Sequence, residues 1–358
     1  MTTAPGSAPE PSPGPHPLVA EARRLARDLL VPQAERVDQE GVPAGHLTAI
    51  RRAGLLGVSA PVAYGGADAP DAVAREIAEI LAGACCSTWF VQTQHHTPVR
   101  LLARSDRPVR ERLLRPLATG ELLAGIAYAH VRAFPRVPVR ATAVGGGWRF
   151  DGRVPWFTGW GLNDVMLLAG VTETAELVFA FADARERSGL RASAPMRLAA
   201  LTAARTVALE LDGLWLPEEA VLLRTPRERF AEVDIPRSAN ASPAVFGIAY
   251  AALDLLGEGD RATVAPLRAR LDEVRERAYA LADHPVPHER VEERLALRTG
   301  AYDLMRAATT AAVVAGGGRA TGLDSPAQRL FREGMFLLVQ GQTAPVRETH
   351  LAHLAVSS

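Results

Sequence analysis

Apolar positions along this chain follow three successive rhythms. Up to about residue 120 they recur every three or four residues. Leu18, Ala22, Leu25 and Leu29 mark one amphipathic helix, and Leu47, Ile50 and Leu55 mark a second. Residues 83–102 carry small and apolar side chains on most faces, as a buried helix does. From about 122 to 223 the period falls to two, in short runs broken by glycine and proline. Val207, Leu209 and Leu211 alternate, residues 165–171 and 177–182 are compact apolar runs, and Gly145-Gly146-Gly147 suits a hairpin turn. After Pro236 the helical period returns. Residues 246–253 form a small-residue helix suited to close packing, Val264, Leu267, Leu271, Val274, Ala278 and Leu281 hold 3/4 spacing, and two long helical stretches follow at about 289–315 and 326–354. The order predicts an α+β chain: a disordered tail over 1–17, an N-terminal helical domain over 18–120, a middle β-domain over 121–228 and a C-terminal four-helix bundle over 229–358.

Composition narrows the function. Forty acidic residues balance forty basic ones, which leaves no electrostatic footprint for nucleic acid. Every basic residue is Arg, so chemistry through a lysine Schiff base is excluded. The first 17 residues are rich in Pro, Ala and Ser without the basic start and apolar stretch of a signal peptide. No run approaches the roughly 18 apolar residues of a membrane span. The expectation is a cytoplasmic protein with no membrane partner. Cys85 and Cys86 are adjacent, a strained geometry for a disulfide, and read as two buried thiols. His95 and His96 diverge by about 100° on a helix, and no cluster elsewhere has zinc spacing, so no metal is expected.

The most informative run is Arg153-Val154-Pro155-Trp156-Phe157-Thr158-Gly159-Trp160-Gly161. In a strand, Trp156 and Thr158 stand on one face with Phe157 buried behind them. A flat indole beside a hydroxyl suits a flavin: the indole packs on the isoalloxazine and the hydroxyl donates to N5. The triplet resembles the aromatic-aromatic-Thr/Ser signature of the acyl-CoA dehydrogenase superfamily. Further stretches resemble the family in the same order: Leu55-Leu56-Gly57-Val58 with Pro61-Val62-Ala63-Tyr64-Gly65-Gly66, the run from Asn163 to Ala169, the run from Thr206 to Pro217, Gly316-Gly317-Gly318-Arg319-Ala320, and Gln340-Gly341-Gln342-Thr343.

The resemblance implies a helix–sheet–helix fold, FAD as cofactor, an acyl thioester (CoA or carrier-protein bound) or related small molecule as substrate, and a homodimer or homotetramer with an unspecified electron-transfer partner. By position it puts Trp156, Thr158, Tyr128, Ala129, Gly341 and Thr343 near the flavin. It puts Gly316 and Gly317 at the FAD diphosphate of a neighbouring subunit, although a C-cap turn explains the same glycines. The family's catalytic base usually lies in a Glu-Gly-Thr sequence of the C-terminal bundle, and here that position holds Gln340, an amide without useful basicity. A minority branch uses the first bundle helix, where Arg237-Ser238-Ala239-Asn240 again lacks a carboxylate. Gln340 is either a plain buried amide or the remnant of a proton-abstraction site that now positions a different substrate. His130, at the family's strand-end glutamate, is the replacement base on offer. It competes with a solvent-facing loop histidine. Arg132 and Arg136 are either clamps for a phosphate of CoA or a pantetheine arm or solvated surface arginines, and His96 is a candidate lining of the substrate cavity. The adenosine-gripping Arg-x-x-Phe-Gly…Gln stretch of the family is not recognisable after Leu256. Two alternatives to a dehydrogenase-like oxidoreductase stand: a reduced-flavin monooxygenase, and a catalytically silent partner of an active paralogue.

Overall fold

A computed structural model describes residues 14–286 and 288–356, so most of the expected tail lies outside the described residues. α1 (Pro17–Leu25) passes through a π-turn into α2 (Val31–Glu40) and is followed by α3 (Ala44–Arg52). Of the expected helical positions, Ala22 and Leu25 are buried in the main helical core, and Leu18 and Leu29 pack against it. α4 (Asp71–Ala84), α5 (Cys86–Ala103) and α6 (Val109–Ala118) complete the N-terminal layer, and both cysteines are free and buried. His95 on α5 is a structural staple: Nε2–H donates to the Leu117 carbonyl at 3.1 Å, and Nδ1 accepts from the Ala124 amide at 3.1 Å. Burial pushes its pKa down to about 4, so the ring is neutral and its tautomer fixed.

Eight strands form one sheet. β1 (Ala124–Ala127) runs parallel to β4 (Val165–Val171), and the main path is β6 (Leu190–Ala192), β7 (Val207–Pro217), β3 (Gly147–Phe157), β2 (Val139–Val144), β4, β5 (Glu176–Asp183) and β8 (Val221–Pro226). The glycine hairpin is as expected. Val144 pairs with Gly147 across Gly145 and Gly146, whose φ values of +54° and +77° define the two-residue turn that matches strand twist. β4 is buried throughout and alternates between two cores. Met166 and Leu168 join Phe150 and Phe157 on one face, while Leu167 and Ala169 join Leu113, Leu114 and Leu117 of α6 on the other.

Helices resume with α7 (Arg227–Ala239), α8 (Pro243–Asp254), α9 (Arg261–Ala282), α10 (Val291–Gly316), α11 (Pro326–Leu337) and α12 (Ala344–Val356). α8 packs backbone-to-backbone on α4, where a Cβ on Gly83 would lie 2.6 Å from the Gly247 carbonyl oxygen. This is why that helix is built of small residues. The stretch expected as one helix over 326–354 is two, because Gly341 adopts φ +66° and interrupts the helical path between α11 and α12. Among the described residues no helix is long and apolar enough to cross a membrane. N-terminal helices, a central sheet and a C-terminal helical domain are the α+β order the patterning predicts.

A candidate active site between the sheet and the C-terminal helices

Two walls carry most of the candidate residues. The first is the end of β3. Phe157 is fully buried, which turns Trp156 outward at 53% exposure. Thr158 follows the strand end, buried, and its hydroxyl shares a 3.1 Å hydrogen bond with that of Thr206, the residue before β7. Asn163 supports the turn by donating Nδ2 to the Thr158 carbonyl at 2.8 Å. Gly125 leaves room for this amide: a Cβ there would lie 2.5 Å from Asn163 Nδ2 and 2.7 Å from the Phe157 ring. With Thr206 donating to Thr158, the Thr158 hydroxyl keeps its own proton for an outside acceptor.

The second wall joins the loop after β1 to α7 and to the α11–α12 loop. Tyr128 packs edge-on against Phe179, with ring centres 5.3 Å apart, and Ala129 is exposed beside it at the start of a 3₁₀ turn that contacts β3. Arg132 donates Nε and Nη2 to the two Asp234 oxygens at 2.7 and 2.6 Å, a bidentate pair that ties this turn to α7. One turn later on α7, Ser238 shares a 3.0 Å hydrogen bond with the buried Thr343. A Cβ built on Gly341 would lie 4.0 Å from Arg132 Nη1, so the α11–α12 loop sits against the same guanidinium. Gln340 is half-buried in this loop, and its side chain makes no hydrogen bond among the described residues.

Three expected roles are corrected. Arg132 is not a free phosphate clamp, because its bidentate edge is filled by Asp234, and Arg136 stands exposed without an ion pair among the described residues. His130 is neither a solvent-facing loop residue nor a base poised near neutral pH. Its ring is buried between the 3₁₀ turn and β4, Nε2–H donates to the Ala169 carbonyl at 3.0 Å, and burial pushes its pKa down to about 4. Gln340 is half-buried rather than buried. His96 is half-buried and bonded to Gln92 one turn earlier on α5, and burial pushes its pKa down to about 3. It remains a neutral polar group.

Gly316 and Gly317 are not brought to either wall. They end α10, where Gly317 takes φ +56° as a C-cap, and α11, roughly 18 Å long, separates them from the Gln340 loop. Among the described residues no group of His, Cys, Asp and Glu is arranged to hold a metal. A cleft of about 480 Å³ opens between α1, α4, α8 and α9, lined by Arg23, Glu76, Glu79, Tyr250 and Arg275, and shares no residue with the two walls. Asp234, Ser238, Asn163 and Thr206 went unnoticed as site residues in the sequence. Of these, only Asp234 lies outside the stretches that carried a readable signal.

Residues 16–121 match the model of the acyl-CoA dehydrogenase N-terminal domain family. No curated protein matches the sequence. The whole chain is similar to butyryl-CoA dehydrogenase from Megasphaera elsdenii (TM-score 0.79, 16% identity, covering 94% of this chain and 97% of that one). It is similar to a glutaryl-CoA dehydrogenase from Mycobacterium smegmatis in complex with FADH2 (0.75, 16%, 95% and 94%). It is also similar to nitrososynthase from Micromonospora carbonacea var. africana (0.74, 21%, 95% and 96%). Residues 16–121 thus carry the match to the acyl-CoA dehydrogenase N-terminal domain, and the chain as a whole has the fold of these solved structures.

Proposed function

We propose that this chain is an FAD-dependent oxidoreductase acting on an acyl thioester or a related small molecule, without the carboxylate-driven α-proton abstraction of β-oxidation. The observation that carries the reading is the pairing of an exposed Trp156 and a hydroxyl-bearing Thr158 on one wall with an amide, Gln340, on the other. The first wall suits a flavin: a broad indole stands open to a flat ring, Thr158 carries a hydroxyl that can donate when Thr206 donates to it, and Ala129 leaves the adjoining backbone uncovered. When bound, the flavin would supply hydride or electron transfer.

The chain's own residues define what surrounds it. Trp156 covers one face, Thr158 fixes a ring nitrogen, and Tyr128 with the Arg132–Asp234 pair closes the side towards α7. Gln340 positions substrate by hydrogen bonds and removes no proton. Asp234 is the carboxylate bordering the loop, and both its oxygens are occupied by Arg132. Gly316 and Gly317 would serve the diphosphate of a second copy's cofactor. The exposed Phe331, Met335 and Val339, at helical spacing along α11 and its end, support burial against another subunit. A homodimer or homotetramer follows, testable by light scattering.

The test is the colour and reactivity of the purified protein. It should hold flavin, and fatty acyl-CoAs added without oxygen should leave the flavin oxidised. A colourless protein that takes up no FAD would instead favour the silent partner. The missing base also suits a reduced-flavin monooxygenase, whose chemistry needs no carboxylate at the α-carbon. Substrate-dependent oxygen uptake by the reduced protein would select that reading.

A further inference from the structure

The N-terminal half of α10 buries two arginines that meet no carboxylate. Arg294, Arg298 and Tyr302 succeed one another at four-residue spacing on one helix face and are 2%, 3% and 1% exposed. They look onto the end of α7 and the first turns of α12, beside Val346 and His350. Their hydrogen-bonding capacity is only partly used. Arg294 donates Nε to the Glu289 carbonyl at 3.1 Å and Nη1 to Asn240 Oδ1 at 2.7 Å. Arg298 donates Nη1 to the Asn240 carbonyl at 2.9 Å. Arg294 Nη2, Arg298 Nε and Nη2, the Tyr302 hydroxyl and His350 Nε2 are buried with no protein partner among the described residues. Of the carboxylates on α10, Glu293 pairs with Arg290, Asp303 pairs with Arg306 and His353, and Glu292 is exposed.

Two such charges side by side in a protein interior are strongly unfavourable unless something neutralises them. The pattern of unused donors says what would. Nε and Nη2 of one guanidinium share an edge, the fork that takes two oxygens of a carboxylate or phosphate. Arg132 shows the same edge in use in this chain, on both oxygens of Asp234. On Arg298 that edge has no protein acceptor. Both buried guanidiniums bind the same residue, Asn240, and the Arg298 guanidinium carbon lies 4.6 Å from the centre of the Tyr302 ring. The unused donors therefore share one small region.

We propose that the junction of α7, α10 and α12 is an anion-binding site, taking one oxyanion of carboxylate or phosphate type on the Nε–Nη2 edge of Arg298, with Arg294 Nη2 and the Tyr302 hydroxyl as further donors. Its position gives it a consequence for the candidate active site. α7 carries Asp234 and Ser238, and α12 follows Thr343, so an anion held here fastens the two segments that frame the Gln340 loop.

The experiment uses the full-length protein dialysed into chloride, with thermal unfolding followed as inorganic phosphate or acetate replaces chloride at constant ionic strength. The midpoint should rise saturably, by about 3–4 °C at roughly a hundred times the half-saturating concentration. A lower half-saturation for phosphate assigns the site to phosphoryl groups, and one for acetate to carboxylates. Arg298→Met should abolish the rise and, without added anion, melt no lower than the parent, since it removes an uncompensated buried charge. Tyr302→Phe, which deletes only a hydroxyl, should raise the half-saturating concentration roughly tenfold and serves if the first variant does not fold. Identical midpoints in phosphate, acetate and chloride, or an undiminished rise in Arg298→Met or Tyr302→Phe, would overturn the proposal.

Discussion

The sheet side of the candidate site and its helical side are held in different ways. On the sheet side, position follows from strand geometry and close packing. Phe157 is locked in the β-core, so Trp156 has to face outward, and Asn163 fits under Thr158 because Gly125 and Gly159 leave it room. On the helical side, position follows from polar contacts between segments far apart in the chain, Arg132 with Asp234 and Ser238 with Thr343. In the proposed reading the packed wall would face a flavin, whereas the polar wall would present an amide, Gln340, where a dehydrogenase would need a base. A fold can preserve its cofactor face through core packing alone, while the chemistry, carried by loop residues that packing does not constrain, changes.

The largest effect should come from restoring the base. Gln340→Glu is expected to speed flavin bleaching by acyl-CoA by roughly 10²–10⁴-fold, the usual range for a positioned general base, measured by stopped-flow absorbance. No gain would mean that the polar wall differs from the dehydrogenases in more than one side chain. The packed wall should be less forgiving structurally. Gly159→Ala puts a Cβ against the Asn163 amide at φ +83° and should cost roughly 2–4 kcal/mol by denaturant unfolding.

Acid should act through the two histidines that burial keeps neutral, His95 and His130. His95 and His130 have folded pKa values of about 4 against an ordinary 6.5, so the unfolded chain binds more protons between those values. Stability is therefore full above pH 6.5 and falls as the pH drops towards 4, by about 2 kcal/mol per histidine at pH 5. His95→Gln should flatten that dependence in a series of melting curves. Asp234→Ala, which strands a partly exposed Arg132, should cost less, about 1–2 kcal/mol. Smallest of all, Thr158→Val should lose about 1 kcal/mol of stability with the Thr206 hydrogen bond while weakening flavin retention, seen by ultrafiltration.

Much of the fold was legible because periodicity is a local property. The glycine hairpin, the buried run of β4, the small-residue helix over 246–253 and the outward Trp156 all follow from spacing a few residues wide. What escaped depends on partners distant in sequence. Arg132 looked available because Asp234 lies 102 residues away, and nothing local indicates their pairing. His130 looked like a loop residue because the carbonyl that holds it belongs to Ala169 on a strand not yet formed at that point of the chain. The break between α11 and α12 did carry a local sign, Gly341, which served in the sequence only as a family landmark.

The proposed function combines a flavin face at Trp156 and Thr158 with an amide, Gln340, in place of a base. The most direct test is an anaerobic titration of the purified protein with a fatty acyl-CoA, recorded as flavin absorbance. A yellow protein whose flavin spectrum survives an excess of acyl-CoA without bleaching is expected. Rapid bleaching of the unmodified protein, or a protein that binds no flavin at all, would contradict it.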